Sequence, residues 1–133
     1  MKKHLSFLLA LFFPLAATTL FAQEAMQKAL SIAEAKLGKD IKDRQIVNED
    51  SIFAVNDRVY LWMKVTGGSA DSLSVTWKTG DQTYSSKLYV GGSPWRTWAY
   101  KTAYTAGDWS VAISDAEGNS LKEISFKVTE AVK

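Results

Sequence analysis

Seven residues near the middle of the chain, from Trp95 to Lys101, combine ring and cationic side chains that could bind a ligand. The run reads Trp-Arg-Thr-Trp-Ala-Tyr-Lys and follows a Gly-Gly-Ser-Pro turn. Tryptophan and tyrosine offer a large apolar ring with one polar atom, and both are enriched where proteins contact partners. A tryptophan in a small domain can equally fill its core. The segment therefore predicts either a core anchor or a binding surface.

In a regular strand, successive side chains of this segment point to opposite faces. One face would then carry Trp95, Thr97, Ala99 and Lys101, and the other Arg96, Trp98, Tyr100 and Thr102. On one hypothesis a tryptophan fills the core, and Arg96 stacks on a ring or pairs with a turn acid such as Asp108 or Asp115. On the other, an exposed aromatic platform binds a ligand or partner. The candidate residues for that platform are Trp62, Tyr89, Arg96, Trp98, Tyr100 and Lys101.

Catalytic chemistry is limited by the absence of two residue types. The chain has a single histidine, His4, and no cysteine. His4 lies in the leader described below, so the mature protein offers neither Ser-His-Asp or Cys-His catalysis nor a usual zinc site. We expect no enzyme activity, cofactor or metal. A carboxylate pair, as in glycosidases, remains possible, although most acids lie in turn-like contexts where they are solvated: Asp71, Asp81, Asp108, Asp115 and Glu117.

The first 22 residues are typical of a secretory signal peptide. Lys2 and Lys3 precede an apolar run over residues 5–15, and Ala22 stands at a plausible cleavage position. The alternative is an uncleaved membrane anchor, but polar residues and a proline interrupt the run, and a span needs about 20 mostly apolar residues. We therefore predict an exported bacterial protein, periplasmic or secreted, with no stable membrane span after cleavage.

Removal of the leader changes the charge balance. The whole chain has 16 basic and 14 acidic residues, and two of the basic ones are leader lysines. The mature protein is therefore formally neutral, which argues against a nucleic-acid partner. Its length suits one small domain. With no cysteine to form disulfides, that domain must depend on an apolar core.

A short N-terminal helix is predicted over residues 24–37. Apolar side chains recur at helical spacing and Gly38 follows as a stop: Met26, Leu30, Ala33 and Leu37. This helix could pack loosely on the domain, or it could dock the domain to a partner or to a second copy. Residues 39–50 are charged and predict an irregular linker.

From Ile52 onward the apolar pattern has the period of two that is typical of half-buried strands. Close spacing, turn residues and the lack of intervening helices favour an antiparallel, immunoglobulin-like β-sandwich of about seven strands. The predicted strands cover residues 52–55, 59–65, 72–78, 84–90, 96–104, 109–114 and 123–128. The predicted organisation is a signal peptide at 1–22, helix and linker at 23–45, the β-domain at 46–129 and a tail at 130–133.

A set of residues over 46–129 resembles the DUF2914 family, a bacterial domain of unknown function. The Trp-Arg-Thr-Trp stretch with its trailing lysine is the most specific part of the resemblance. The residues that carry it are Phe53, Val59-Tyr60-Leu61-Trp62, Trp77, Gly80, Leu88 to Trp98, Lys101, Gly107 to Val111, Asp115, Gly118, Leu121 and Phe126-Lys127-Val128. Two positions depart from the family pattern: Val75 stands where many members have histidine, and Ala99 where serine is common.

The resemblance implies an exported β-rich domain and no particular activity. Together with the residues, it predicts a non-enzymatic module that binds an unknown protein or glycan, or assembles, at the bacterial cell envelope. The alternative is an accessory or catalytic module that acts on envelope polysaccharide through acids and aromatic stacking. Two carboxyl groups within about 5–10 Å of each other in an aromatic cleft would favour that alternative.

Overall fold

The structure is a computed structural model that describes residues 29–68 and 70–130. This part of the chain is all-β and contains nine strands. In chain order they are β1 (Ser31–Lys42), β2 (Gln45–Glu49), β3 (Ile52–Ala54), β4 (Arg58–Thr66), β5 (Asp71–Thr79), β6 (Gln82–Val90), β7 (Trp95–Thr102), β8 (Gly107–Asp115) and β9 (Ser120–Thr129). The signal peptide predicted over 1–22 lies outside the described residues.

The strands form two sheets. The four-stranded sheet has the order β2-β1-β4-β7 and is antiparallel throughout. The five-stranded sheet has the order β3-β9-β8-β5-β6, and its pairs are antiparallel except for the parallel pair β3–β9. The chain changes sheet on entering and leaving β3, between β4 and β5, and again on entering and leaving β7. As a result, β6 and β7 are edge strands of different sheets.

One apolar core lies between the sheets, and strand alternation builds it. In β4, all four side chains at alternate positions are fully buried: Val59, Leu61, Met63 and Val65. In β5 the buried side chains at alternate positions are Leu73, Val75 and Trp77. These residues belong to a single cluster of buried side chains contributed by both sheets. Full burial of one such aliphatic side chain contributes roughly 1.5–3 kcal/mol. The all-β prediction from period two is confirmed, and the seven predicted strands correspond to β3 through β9.

The helix predicted over 24–37 is wrong from residue 31 onward, where the chain forms strand β1. Residues 24–28 lie outside the described part. A bulge between Ile32 and Glu34 adds one residue to the chain there, so Leu30 and Leu37, seven residues apart, both reach the core. Ile32 and Ala35 therefore both lie opposite core residues of β4 although they are three apart in sequence. This spacing resembles a helical repeat, but pairing with β4 makes the segment a strand.

The linker predicted over 39–50 is also corrected, because these residues form a β-hairpin. Strand β1 continues to Lys42 and returns as β2. The two residues between them, Asp43 and Arg44, have φ of 53° and 61°. Positive φ at both central residues is the geometry of a type I′ hairpin turn, which Asn-Gly or Asp-Gly would have signalled. Asp-Arg gives no such signal, so β1 and β2 are the two strands that the sequence did not reveal.

Gly67 is expected to tolerate alanine poorly. Its φ is +91°, and a Cβ there would collide with the carbonyl oxygen of Ala29. Gly118 is a matched control, since its φ is +90° and a Cβ would meet nothing within 4 Å. Gly118→Ala should cost only the backbone strain, roughly 1–2 kcal/mol. Gly67→Ala should cost at least about 1 kcal/mol more, because the Ala29 backbone must also move. Urea unfolding of both variants measures the difference, and equal losses would contradict the predicted collision.

Candidate functional site

The aromatic-basic segment forms β7, which pairs with β4 and shares its two faces. Three cross-strand pairs point away from the core: Lys64 with Arg96, Trp62 with Trp98, and Tyr60 with Tyr100. Their direction follows from the intervening residues of β4, which fill the core. We call these six residues the aromatic-basic face. Paired residues on one face lie about 4.5–5.5 Å apart and successive pairs about 7 Å apart, so the six side chains form a compact patch.

The two tryptophans of β7 lie on opposite faces, as alternation predicts, and both are half-buried. Trp95 is on the core side and packs against the core cluster. Its ring meets Tyr89 edge to face, with centroids 6.0 Å apart. Gly91 makes room for this contact, since a Cβ there would lie 2.8 Å from the Trp95 ring. Trp98 is on the outer face. The core-anchor and surface hypotheses therefore each describe one tryptophan.

Trp62 is on the outer face but does not form an exposed platform, because it is only 5% exposed. Its Nε1 donates a hydrogen bond to the Arg44 carbonyl oxygen at 2.9 Å. Lys36 of β1 places its Nζ 5.8 Å from the centre of the ring. The tip of the β1–β2 hairpin thus reaches over the outer face and covers this ring. The expectation of an exposed Trp62 is wrong because the hairpin was not predicted.

Two further candidates lie away from the aromatic-basic face. Tyr89 is on β6, in the other sheet, and is 62% exposed. Lys101 lies opposite Val59, on the core side of β7. Its Nζ lies 3.7 Å from the centre of the Tyr84 ring and 5.7 Å from that of Tyr104. These cation–π contacts join the edge strands β6 and β7, so Lys101 is held by the fold.

Tyr100 forms one end of the aromatic-basic face. It is 53% exposed, and its ring centre lies 5.4 Å from that of Tyr60. The guanidinium carbon of Arg58 lies 4.4 Å from the centre of the Tyr100 ring, and Arg58 Nη1 donates a hydrogen bond to Tyr60 Oη at 3.4 Å. That hydrogen bond is the main cause that raises the pKa of Arg58 above its usual value. The ring face of Tyr100 is therefore already in contact with a cation.

Two grooves are lined by residues of the aromatic-basic face. One, of about 520 Å³, is formed by Trp98, Tyr60 and Tyr100 together with Asp40 and Ile41 of β1 and two smaller residues. The other, of about 350 Å³, is lined by Arg44, Lys64, Pro94, Trp95 and Arg96. The structure thus brings together three of the six candidates as an accessible set, Arg96, Trp98 and Tyr100. Sequence reasoning missed Arg44 and Asp40 as neighbours of this set, because both belong to the unpredicted hairpin.

Carboxylates lie near aromatic rings in several places, one of them Asp40 in the groove of Trp98, Tyr60 and Tyr100. A groove by the β5–β6 turn contains Asp81, Asp108 and Tyr104. Asp81 is exposed, and the Asp108 side chain is 86% exposed and lies 3.4 Å from Lys127 Nζ. A general acid normally lies in a site shielded from solvent, whereas both of these carboxylates are exposed. In the described ranges, no three His, Cys, Asp or Glu side chains are grouped as metal ligands would be. In the same ranges, no helix is long and apolar enough to cross a membrane.

Comparison with protein families gives a match to part of the chain. Residues 70–128 match the model of the family described as "Protein of unknown function (DUF2914)". This part of the chain is a DUF2914 segment. The match confirms the resemblance inferred from the sequence over residues 70–128 and does not extend to its first part, residues 46–69. The DUF2914 segment includes β7, and with it Arg96, Trp98 and Tyr100. Strand β4, which supplies the other half of the aromatic-basic face, precedes the matched residues.

Solved structures align with the chain, and one of them resembles it in fold. The alkylpurine DNA glycosylase AlkC of Pseudomonas fluorescens, bound to DNA containing an abasic site analog, aligns with 9% identity and a TM-score of 0.54. The alignment covers 81% of this chain but only 32% of that enzyme, so the likeness is one of fold. A CARDB domain from Pyrococcus furiosus, in complex with di-metal ions, aligns with 15% identity and a TM-score of 0.48 over 79% of this chain and 94% of that domain. No curated protein matches the sequence.

Proposed function

We propose that this protein is an exported, non-enzymatic binding module of the bacterial cell envelope, and that it binds through the aromatic-basic face. The observation that carries the proposal is the placement of Arg96, Trp98 and Tyr100 side by side on one strand with accessible surface. Tryptophan, tyrosine and arginine are the residue types that most often dominate the binding energy of protein interfaces. The partner is a protein or glycan, and nucleic acid is disfavoured by the neutral mature chain.

The proposed location rests on the N-terminal sequence. A basic start, an apolar run over residues 5–15 and a small residue at Ala22 are the three parts of a cleavable signal. Cleavage there would release a periplasmic or secreted protein. Because the chain has no cysteine, its folding after export would not depend on disulfide formation. The mass of the mature protein, measured after cell fractionation, would locate the cut.

We also propose that the two sheets form an immunoglobulin-like sandwich. Three features support this assignment. The strands β1-β4-β7 and β6-β5-β8-β9 pair in the order of immunoglobulin strands A-B-E and C′-C-F-G. Trp77 is buried on β5, the position of the tryptophan typical of strand C. Trp109 Nε1 donates to the Thr105 carbonyl oxygen at 2.9 Å, as the corner tyrosine of such domains bonds backbone a few residues upstream.

The alternative function is an accessory or catalytic module that acts on envelope polysaccharide. The groove with Asp81 and Asp108 is the feature that favours it. Both carboxylates are solvated, and one of them already faces Lys127. A binding role that uses ring stacking without hydrolysis therefore fits the side chains better. Loss of polysaccharide turnover in Asp81→Asn or Asp108→Asn, with fold retained, would favour the alternative.

Capture of partners from an envelope extract tests the binding role. We expect wild-type protein to retain a defined set of components, and Trp98→Ala to lose them, because the substitution removes the accessible ring at the centre of the face. Truncation of a central aromatic at an interface commonly costs about 2 kcal/mol or more, which is roughly a thirtyfold loss of affinity.

Ile52→Ala is the matched control for that experiment. Ile52 is also an exposed apolar residue, at 53%, but it lies on β3 in the other sheet. Its removal should leave the captured set unchanged. If folded Trp98→Ala retains the same components as wild type, the aromatic-basic face is not the binding surface.

A further inference from the structure

We propose that the ligand of the aromatic-basic face is a carboxylated polysaccharide, whose acidic groups bind to Arg44, Lys64 and Arg96 while a sugar ring stacks on Trp98. This inference rests on the proposed binding function and adds the chemical class of the ligand. Two independent features carry it. One is a groove that is lined by three cations, and the other is an accessible ring next to it.

The first feature is the concentration of positive charge. Arg44, Lys64 and Arg96 line one groove of about 350 Å³, and the other lining residues are Pro94 and Trp95. Lys64 and Arg96 are directly opposite each other on β4 and β7. Like charges in such a cross-strand pair destabilise a sheet. A ligand that brings negative charge would remove this repulsion, so the pair favours an anionic occupant.

None of these three cations forms an ion pair with an acid of the described residues. Within residues 29–68 and 70–130 the ion pairs are Lys36–Glu34 and Lys127–Asp108, and neither includes a residue of the groove. Glu34 lies opposite Lys64 on β1, but its carboxylate contacts Lys36 Nζ at 3.6 Å. The guanidinium groups of Arg44 and Arg96 each present a planar fork of donors that matches a carboxylate. The charge of the groove is therefore available to a ligand.

The second feature distinguishes a glycan from an acidic peptide. Trp98 is two residues beyond Arg96 on the same face, about 7 Å away along the strand. Its partner Trp62 is covered, so Trp98 offers the accessible indole of the pair. A pyranose has an apolar C–H face that can stack on an indole while its carboxylate extends toward the cations. A peptide strand would instead pair with the backbone of the edge strand β7, beside this face rather than over the Trp98 ring.

Binding of three polymers to the purified protein tests the ligand class. The probes are polygalacturonate, neutral dextran of similar length and poly-L-glutamate. We expect binding to polygalacturonate, no binding to dextran, and weaker binding to polyglutamate, which lacks a ring to stack. Arg96→Gln should raise the Kd for polygalacturonate about tenfold, since it removes one charge-assisted hydrogen-bonding group. Added salt should weaken the same interaction.

Lys87→Gln is the matched control, because it also removes one exposed positive charge but lies on β6 of the other sheet. It should change the Kd less than twofold. Trp98→Ala should weaken binding of polygalacturonate and leave that of polyglutamate unchanged.

Three results would overturn the inference: no binding of polygalacturonate, equal losses in Arg96→Gln and Lys87→Gln, or binding of polyglutamate as tight as that of polygalacturonate. The last result would identify an acidic protein as the partner. If polygalacturonate fails but capture from an envelope extract still depends on Trp98, the binding function stands and only the ligand class is wrong. If neither depends on Trp98, both proposals fail.

Discussion

Replacement of Trp109 by alanine is expected to lower the free energy of unfolding by about 3–5 kcal/mol, the range for a fully buried tryptophan. Trp109 is 2% exposed and stands near the start of β8. Its ring stacks on Phe126 with centroids 6.0 Å apart and meets Tyr104 edge to face at 5.8 Å. The substitution would leave a cavity between β8 and β9 that rigid sheets cannot close.

Trp109→Phe separates the packing of Trp109 from its hydrogen bond. Phenylalanine keeps a ring against Phe126 but cannot donate to the Thr105 carbonyl oxygen, which accepts from Trp109 Nε1 at 2.9 Å. The expected loss is about 1–3 kcal/mol, because a partly buried acceptor loses its partner and the ring is smaller. Chemical denaturation of Trp109→Ala and Trp109→Phe measures the loss in free energy of unfolding for each variant. An alanine variant that loses under about 1 kcal/mol would show that the ring does not support the core.

Replacement of Trp62 by alanine is expected to have a comparable effect, about 3–5 kcal/mol, although Trp62 lies outside the core between the sheets. The ring joins β4 to the β1–β2 hairpin, because the hairpin supplies both its cover and the carbonyl oxygen of Arg44 that accepts its Nε1 hydrogen bond. Its loss would remove the hydrogen bond that ties the tip of the hairpin to β4. Hydrogen exchange should therefore rise first in β2, before the core strands exchange.

Trp98→Ala is the matched control for this second prediction. Trp98 is the same residue type, directly opposite Trp62 on the same face, but it is only half-buried. Its truncation should cost less than about 2 kcal/mol, because its ring is already partly hydrated. Equal losses at the two positions would mean that the hairpin does not cover Trp62 in solution. Comparison of Trp62→Ala with Trp98→Ala thus distinguishes a tryptophan that supports the fold from one that is a candidate for binding.

The parts of the fold that sequence could predict are those in which alternation is unbroken. In β4 the apolar residues at every second position predict the buried face, and β7 shows the same rule for its two tryptophans. The rule failed at β1, where the bulge after Ile32 shifts the register by one residue. It also failed at the turn of Asp43 and Arg44, whose positive φ values are not encoded by glycine or asparagine.

The candidate site was predictable only in part, for the same physical reason. Arg96, Trp98 and Tyr100 share a face because they share a strand, and sequence spacing is enough to show it. The cover over Trp62 and the position of Lys101 between Tyr84 and Tyr104 depend on residues far away in the chain. Such contacts follow from the order of strands in the sheets, which spacing alone does not give.

The boundaries of the family match bear on how this protein can be divided. The match begins at residue 70, whereas β4, the hydrogen-bonded neighbour of the edge strand β7, ends at Thr66. A fragment cut at the homology boundary would keep β7 but lose the strand that holds it, together with the β4 half of the core. The matched segment is therefore shorter than the part of the chain that forms the two sheets. Fragments designed for expression or domain fusion should start no later than β1.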